Sequence, residues 1–410
     1  MNERQGRQNV FAAAATGCIG FTGFTLVMPF LPLYIRELGT TDVGEIAMWT
    51  GLILGATPAV TAISAPFWGR VGDRYGSKIL VVRSLTAFIL TKAAMAFVTA
   101  PWQLFALRAL LGVFAGFGSL TISMAAESAP REKMAQAIGF VQTGHRIGPA
   151  IGPVIGGLIA PIVGLRNSFL VAAAFYVIAL LNIVLLYEEP RAGHAPRQVR
   201  GGWAVFNHLV QLPGFLLALG VIFGLQTVDR SFGPVLPLYV AQLGVPEARI
   251  PIVTGVLFSL GALAAALGHH LAGQLIQKRP ARSVIISGTL IAATAVAAIV
   301  FAPSLWLVGL AMIVFGVALG VSTTTIYAVA GGLLPADAHA TGFGFMTTAS
   351  LIGLAVSPVV AGFIGAAGLR VVFVLDVALL VALCALVAKL MSAGTQPIEH
   401  DALAPDPSDA

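Results

Sequence analysis

A run of about twenty apolar residues is the shortest helix that crosses the ~30 Å hydrocarbon core of a bilayer, and this chain repeats such a run twelve times. The runs cover residues 10–34, 45–68, 79–99, 102–126, 134–160, 166–187, 213–239, 251–276, 283–301, 305–330, 340–364 and 369–390. A chain divided this way cannot bury all of its apolar surface in a water-facing domain. Composition agrees: 58% of its 410 residues are hydrophobic and 10% are charged, against roughly 25% charged in soluble domains. The expected fold is an all-α membrane protein of twelve transmembrane helices. The first run is too long for a signal-peptide core and reads as a helix that stays in the protein.

Loop charges set the orientation. With both termini cytoplasmic, the inner segments hold Arg4, Arg7, Arg70, Arg74, Lys78, Arg131, Lys133, Arg191, Arg197, Arg200, Lys278, Arg279, Arg282 and Lys389. The outer loops hold Arg36, Arg166, Arg249 and Arg370. This is the positive-inside bias, and it requires an even number of crossings. It also disposes of a nucleic-acid reading of the net charge of +6, because the cations are scattered over short loops. Cys18 and Cys384 stand far apart in apolar runs, with no metal spacing and no disulfide framework.

Segment 188–202 (EEPRAGHAPRQVRGG) is polar and rich in Pro, Gly and Arg, the composition of a linker. The tail after Ser392 is acidic and Pro-rich and is expected to be disordered. The two sides of the linker resemble each other. Residues 28–39 match 233–244 at a shift of 205, with Pro29/Pro234, Pro32/Pro237, Tyr34/Tyr239 and Gly39/Gly244 among the identities. Trp102, Gly112 and Gly116 meet Trp306, Gly316 and Gly320 at a shift of 204, and Gly164-Leu165-Arg166 meets Gly368-Leu369-Arg370. The expected organisation is a six-helix bundle at 1–187, a cytoplasmic linker at 188–205, a second bundle at 206–391 and a tail at 392–410. Paired six-helix repeats are a transporter architecture, with the substrate site between them near midplane.

Two patterns carry a mechanism. Between the second and third runs stands GRVGDRYGSK, residues 69–78. Gly69, Gly72 and Gly76 permit tight turns, Asp73 can accept from a helix N-terminus, and Arg74 and Lys78 add the basic character of an inner loop. Glu127 is placed to pair with Arg74 or Arg83, or to stay solvated. In the fifth run, Gly139, Gly148, Gly152-Pro153 and Gly156-Gly157 are spaced G-x8-G-x3-GP-x2-GG. Gly148, Gly152 and Gly156 share one helical face, which permits close backbone contact with a neighbour.

The first pattern resembles the loop signature of the major facilitator superfamily, and the second resembles the antiporter signature of its drug-efflux members. The stretches LVMPFLPLY (26–34) and SAPFWGRVGDRYGSK (64–78) are likewise similar to bacterial multidrug exporters. The resemblance implies two pseudo-symmetric bundles, alternating access and export in exchange for protons. It also implies an Asp73 gate against the eleventh helix near 338–342 and a tight helix-5 seam between the halves. The second-half counterpart of the loop, 273–282, has Gln277 where Asp73 stands, so the gate is asymmetric.

Ionisable residues inside spans are functional candidates by default. Arg108 lies roughly 9 Å inside the fourth run at 1.5 Å per residue and resembles the helix-4 arginine of proton-coupled facilitators. Arg146 sits at the middle of the fifth run, where snorkelling is hardest. Its neighbour His145 points about 100° away and reads equally as a buried structural histidine. Asp229 lies about 15 Å from the outer end of the seventh run and is the candidate proton carrier. Its neighbour Arg230 is not expected to face it, and the competing reading of Asp229 is a static pair with Arg146 or Arg230. Asp376 and Lys92 are expected to be structurally paired. Many drug–proton antiporters carry an acid in helix 1; here the position matching Asp229 is Phe24. The inner pore is then basic, which favours neutral, zwitterionic or anionic cargo.

The sequence therefore predicts a monomeric inner-membrane exporter of small lipophilic, neutral or anionic molecules. Its partners are the cargo, protons and lipid, and it needs no cofactor or metal. An uptake symporter and a non-transporting receptor of the same fold are the alternatives. An enzyme is disfavoured: HExxH and GxSxG are absent, and the tandem His269-His270 cannot chelate one metal from one helix face.

Overall fold

The computed structural model describes residues 3–130, 133–189, 211–212, 214–334 and 339–391. For residues 3, 65, 66, 69, 70, 72–75, 135, 339 and 340 it describes the backbone alone. Most of the expected linker, the acidic tail and residue 338 of the expected helix-11 gate segment lie outside the described residues. So do the side chains of Asp73 and Arg74.

Among the described residues, fourteen α-helices make twelve crossings. The first crossing is α1 (Glu3–Thr25) continued by α2 (Leu31–Glu37), with a short 3-10 turn between them at Met28–Phe30. Next come α3 (Val43–Tyr75) and α4 (Ser77–Met95). The fourth crossing is split into α5 (Pro101–Val113) and α6 (Phe117–Ser128); then follow α7 (Met134–Val163) and α8 (Leu165–Leu186). The second half holds α9 (Phe215–Gln242), α10 (Ile250–Lys278), α11 (Ala281–Val300), α12 (Leu305–Gly332), α13 (His339–Ala367) and α14 (Leu369–Leu390). Among the described residues, eleven helical stretches are long and apolar enough to cross a membrane. The remaining long helix, α4, has 19 residues and carries Lys78, Arg83 and Lys92. Side chains such as Leu185, Phe301 and Trp306 point outward and are 73–90% exposed, a surface suited to lipid rather than water.

The internal repeat is visible in the packing. Tyr34 Oη donates to the Met95 carbonyl at 2.7 Å, and Tyr239 Oη donates to the Ile299 carbonyl at 2.7 Å. Tyr34 packs on Phe169, and Tyr239 on Phe373. A Cβ on Gly112 would press on the Thr57 carbonyl, and one on Gly316 would overlap the Gly261 carbonyl. All three relationships recur at the shifts of 204 and 205 found in the sequence. One equivalence fails. Gly116 adopts φ +117 and breaks the fourth crossing into α5 and α6, whereas its counterpart Gly320 sits inside a continuous α12.

The halves meet along α3 with α13 and α7 with α10. We call the face carrying the start of α1 and the turn at Gly76 the linker face. Contact is tight at the opposite face. Gly44 touches Ala366, Gly51 lies under Pro358 and Gly362, Gly157 lies under Pro251, and Gly255 lies under Pro153. Arg36 and Glu247 pair across the halves there at 3.2 Å. Towards the linker face, Gly139, Gly273 and Gly344 have open space around them. A cavity of about 730 Å³ opens there, lined by Arg7, Phe11, Glu127, Lys133, Gln136 and Phe140 among others. The two halves are thus packed together at the opposite face and stand apart at Gly139, Gly273 and Gly344 towards the linker face.

Candidate functional site

The pattern at 69–78 is not a loop. Its first seven residues are the end of α3, and one residue, Gly76 with φ +89, turns the chain into α4. Gly69 and Gly72 are helical, so they supply no turn. The turn is tied down by its neighbours. Ser77 donates to Glu127 at 3.2 Å, Lys78 Nζ donates to the Tyr187 carbonyl at 2.5 Å, and Glu189 lies against Gly76. The expected Arg83–Glu127 pair does not form. Arg83 stacks on Trp68, 3.4 Å from the ring centroid, and donates to the Phe114 carbonyl.

The glycine face of α7 is real, but most of it faces α1 rather than the other half. Cβ atoms at Gly148 and Gly152 would strike Cys18 and Thr22 of α1, one at Gly156 would strike Leu26 just past its end, and Gly144 extends the same face to Ala14. Of the pattern, Gly157 and Pro153 reach α10, Gly157 against Pro251 and the Pro153 carbonyl against Gly255. Gly139 touches nothing within 4 Å. The signature is therefore chiefly a seam inside the first bundle. The adjacent pair diverges: His145 turns inward, its Nε2 3.0 Å from Thr121 Oγ1 and its ring edge-on to Phe21, while Arg146 points to the other half.

Arg146 heads a polar cluster at the junction of the halves. Its Nη1 lies 3.2 Å from His269 Nε2, and His269 Nδ1 lies 2.7 Å from Thr324 Oγ1. A guanidinium only donates, so Nε2 must accept, and the proton of a neutral His269 sits on Nδ1, directed at Thr324. Asp229, Arg230 and Tyr327 lie within electrostatic reach of Arg146. Asp229 Oδ2 and Arg230 Nε are 3.0 Å apart with both side chains about one-third exposed. This corrects the expectation that sequence neighbours do not face each other, although the contact lacks hydrogen-bond geometry at Nε. Gln226 donates to Ser350 at 2.8 Å on the same wall.

Arg108 is not part of this cluster. It is 1% exposed inside the first bundle, beside a fully buried Lys92. Among the described residues the expected structural partner of Lys92 is not found: Nζ has no hydrogen bond, and Arg108 Nε and Nη2 have none either. Both cations face Phe24, at 5.9 and 5.6 Å from its ring centroid. Such contacts return about 0.5–2 kcal/mol each, less than the several kcal/mol that dehydrating each ion costs. Asp376 is hydrogen-bonded, accepting from Ser231 at 2.6 Å inside the second bundle. Sequence reasoning missed His269, Tyr327 and Tyr176. Only His269 left a signal, as a histidine inside a span. Among the described residues, no group of three or more His, Cys, Asp or Glu could hold a metal.

Comparison with known proteins agrees with this architecture. The chain is 33% identical over 282 residues to the multidrug resistance protein MdtG of Yersinia enterocolitica, covering 68% of each chain. It is 32% identical over 323 residues to MdtG of Klebsiella pneumoniae, covering 78% of this chain and 75% of that one. It is 28% identical over 346 residues to a multi-drug resistance efflux pump PmrA homolog of Lactococcus lactis, covering 84% and 85%. Among solved structures, a bacterial homolog of the human lysosomal transporter Spinster, inward-facing and unoccupied, superposes with a TM-score of 0.77 at 18% identity, over 94% and 97% of the two chains. The family description Major Facilitator Superfamily matches residues 13–350 and 251–407, and with twelve crossings in two repeated halves the chain belongs to that superfamily.

Proposed function

We propose that this protein exports small lipophilic, neutral or anionic molecules across the bacterial inner membrane in exchange for protons, as a monomer working by alternating access. One observation carries the reading: a polar cluster of Arg146, Asp229, Arg230 and His269 lies where the halves meet, sealed from one face and open to the other. The multidrug relatives supply the class of cargo. Two bundles, 1–187 and 206–391, rock about that cluster, and the linker face is cytoplasmic, with both termini on it. This is the activity of a transporter rather than an enzyme.

Asp229 carries the exchanged proton in this scheme, and Arg146 is the cationic partner for which proton and cargo compete. Asp73 steadies the cytoplasmic closure, so Asp73→Asn slows turnover and spares cargo binding. The test is proton flux in everted vesicles given a panel of lipophilic compounds. Cargo-induced proton release supports antiport. Proton co-entry with cargo, or no flux at all, would sink it.

A further inference from the structure

Three polar side chains that the junction cluster does not use lie together inside the first bundle. Lys92 of α4, Arg108 of α5 and Tyr176 of α8 are each at most 1% exposed. Lys92 Nζ, Arg108 Nε and Nη2, and Tyr176 Oη have no hydrogen-bond partner among the described residues. Arg108 is within electrostatic reach of both Lys92 and Tyr176. Among the described residues no carboxylate joins them. A lysine can enter a dry compartment by shedding its proton, but an arginine keeps its charge. The compartment is thus rich in donors and lacks an anion.

The second bundle provides an internal control. At the repeat shift of 204, Lys92, Arg108 and Tyr176 correspond to Val296, Met312 and Leu380, all buried. The same bundle geometry closes there around an apolar filling, so the polar trio is not required by the fold. The wall residue also differs. Phe24, half-buried, touches both cations and occupies the repeat position of the cavity residue Asp229. The first bundle holds a phenyl ring where the second holds an acid.

We propose that the compartment framed by Lys92, Arg108 and Tyr176 binds one small anionic group, of carboxylate or halide size. Its charge takes the place of the side-chain acid that the first bundle lacks. Two sources share this chemistry: a dissolved halide, or the acid group of a cargo molecule that enters past Phe24. The second source rests on the export reading; the site itself does not.

The test is thermal unfolding of the purified full chain in detergent, at constant ionic strength, with sodium gluconate as the bulky reference. Chloride and acetate are titrated in, and separately an aryl carboxylic acid and its methyl ester. Lys92→Val and Arg108→Met copy the second bundle; Tyr176→Phe is the mildest change. A saturable rise in Tm of about 3–5 °C with chloride or acetate, absent in Lys92→Val and Arg108→Met, establishes the site with a free anion. The same rise with the acid but not its ester, and without a halide response, establishes it with cargo as the source. Tyr176→Phe weakens either response several-fold. A wild-type Tm indifferent to every anion overturns the proposal, as does a response that the variants retain. Because no gradient is applied, lost export with an intact anion response counts against the export reading alone, and export with no anion response against the site alone.

Discussion

Arg146 of α7 and His269 of α10 bridge the two halves near mid-membrane, Nη1 to Nε2 at 3.2 Å. The bridge requires an unprotonated Nε2, because both partners would otherwise be donors. Protonation of His269 therefore breaks this link between bundles. The charged and titratable groups around it are Arg146 on α7, Asp229 and Arg230 on α9, His270 on α10 itself and Tyr327 on α12.

Replacing His269 by Ala removes a hydrogen bond to a charged donor, worth about 1.5–3 kcal/mol, from the state open at the linker face. The expected result is a shift of roughly tenfold or more away from that state. Spin labels placed across the halves at the opposite face report it as a new, longer distance. An unchanged distance distribution would mean that the bridge does not hold the halves.

Glu247→Gln is expected to do far less. The Arg36–Glu247 pair is also 3.2 Å long and also spans the halves, but its side chains are 36% and 67% exposed. Exposed pairs contribute about 0.2–1 kcal/mol and fade with salt. The same labels should show at most a few-fold shift at low ionic strength and none at high. A shift as large as that of His269→Ala would place the outer latch at this pair.

The helix-5 signature separates into members with different fates. A leucine at Gly156 collides with the Leu26 backbone just past the end of α1, while a leucine at Gly139 meets open space. Overpacking costs about 1–3 kcal/mol where side chains can yield and more against backbone. Gly156→Leu should unfold in detergent or lose several degrees of Tm, and Gly139→Leu should keep the wild-type Tm. Equal stability of the two would refute the placement of the seam on α1.

How much of this was legible without coordinates follows from what each signal measures. Crossings and repeat were legible because lipid demands runs of fixed length and because Tyr34/Tyr239 and Gly112/Gly316 keep the same partners in both halves. The small-residue face of α7 was legible as a face, but periodicity does not say which helix covers it. The pattern therefore fitted a seam between halves as well as the observed seam with α1. The motif at 69–78 looks like a loop because Gly and Asp favour turns, yet α3 continues through to Tyr75. The surroundings of Lys92 and His269 were illegible for a simpler reason. They come from helices more than fifteen and fifty residues away, respectively, and single-helix geometry reports only i+3 and i+4 neighbours.

The proton route remains the sharpest question, and Asp229 is where it can be asked. It stands on the cavity wall of α9, about one-third exposed, 3.0 Å from Arg230 and within reach of Arg146. A carboxylate so placed can pair with a cation in one conformation and take a proton in another, provided the halves rearrange around it. Cargo that competes for Arg146 would then drive proton and cargo in opposite directions. Asp376, by contrast, is 5% exposed and held by Ser231 inside the bundle, out of contact with the opening. Asp229→Asn keeps the size and much of the hydrogen bonding but cannot ionise. It should abolish uphill export under an imposed pH gradient while leaving cargo binding, and downhill exchange of cargo, within a few-fold of wild type. Asp376→Asn should lower Tm and leave uphill export in the surviving protein. Uphill export by Asp229→Asn at the wild-type rate would move the proton to another group, and His269 would be the next to change.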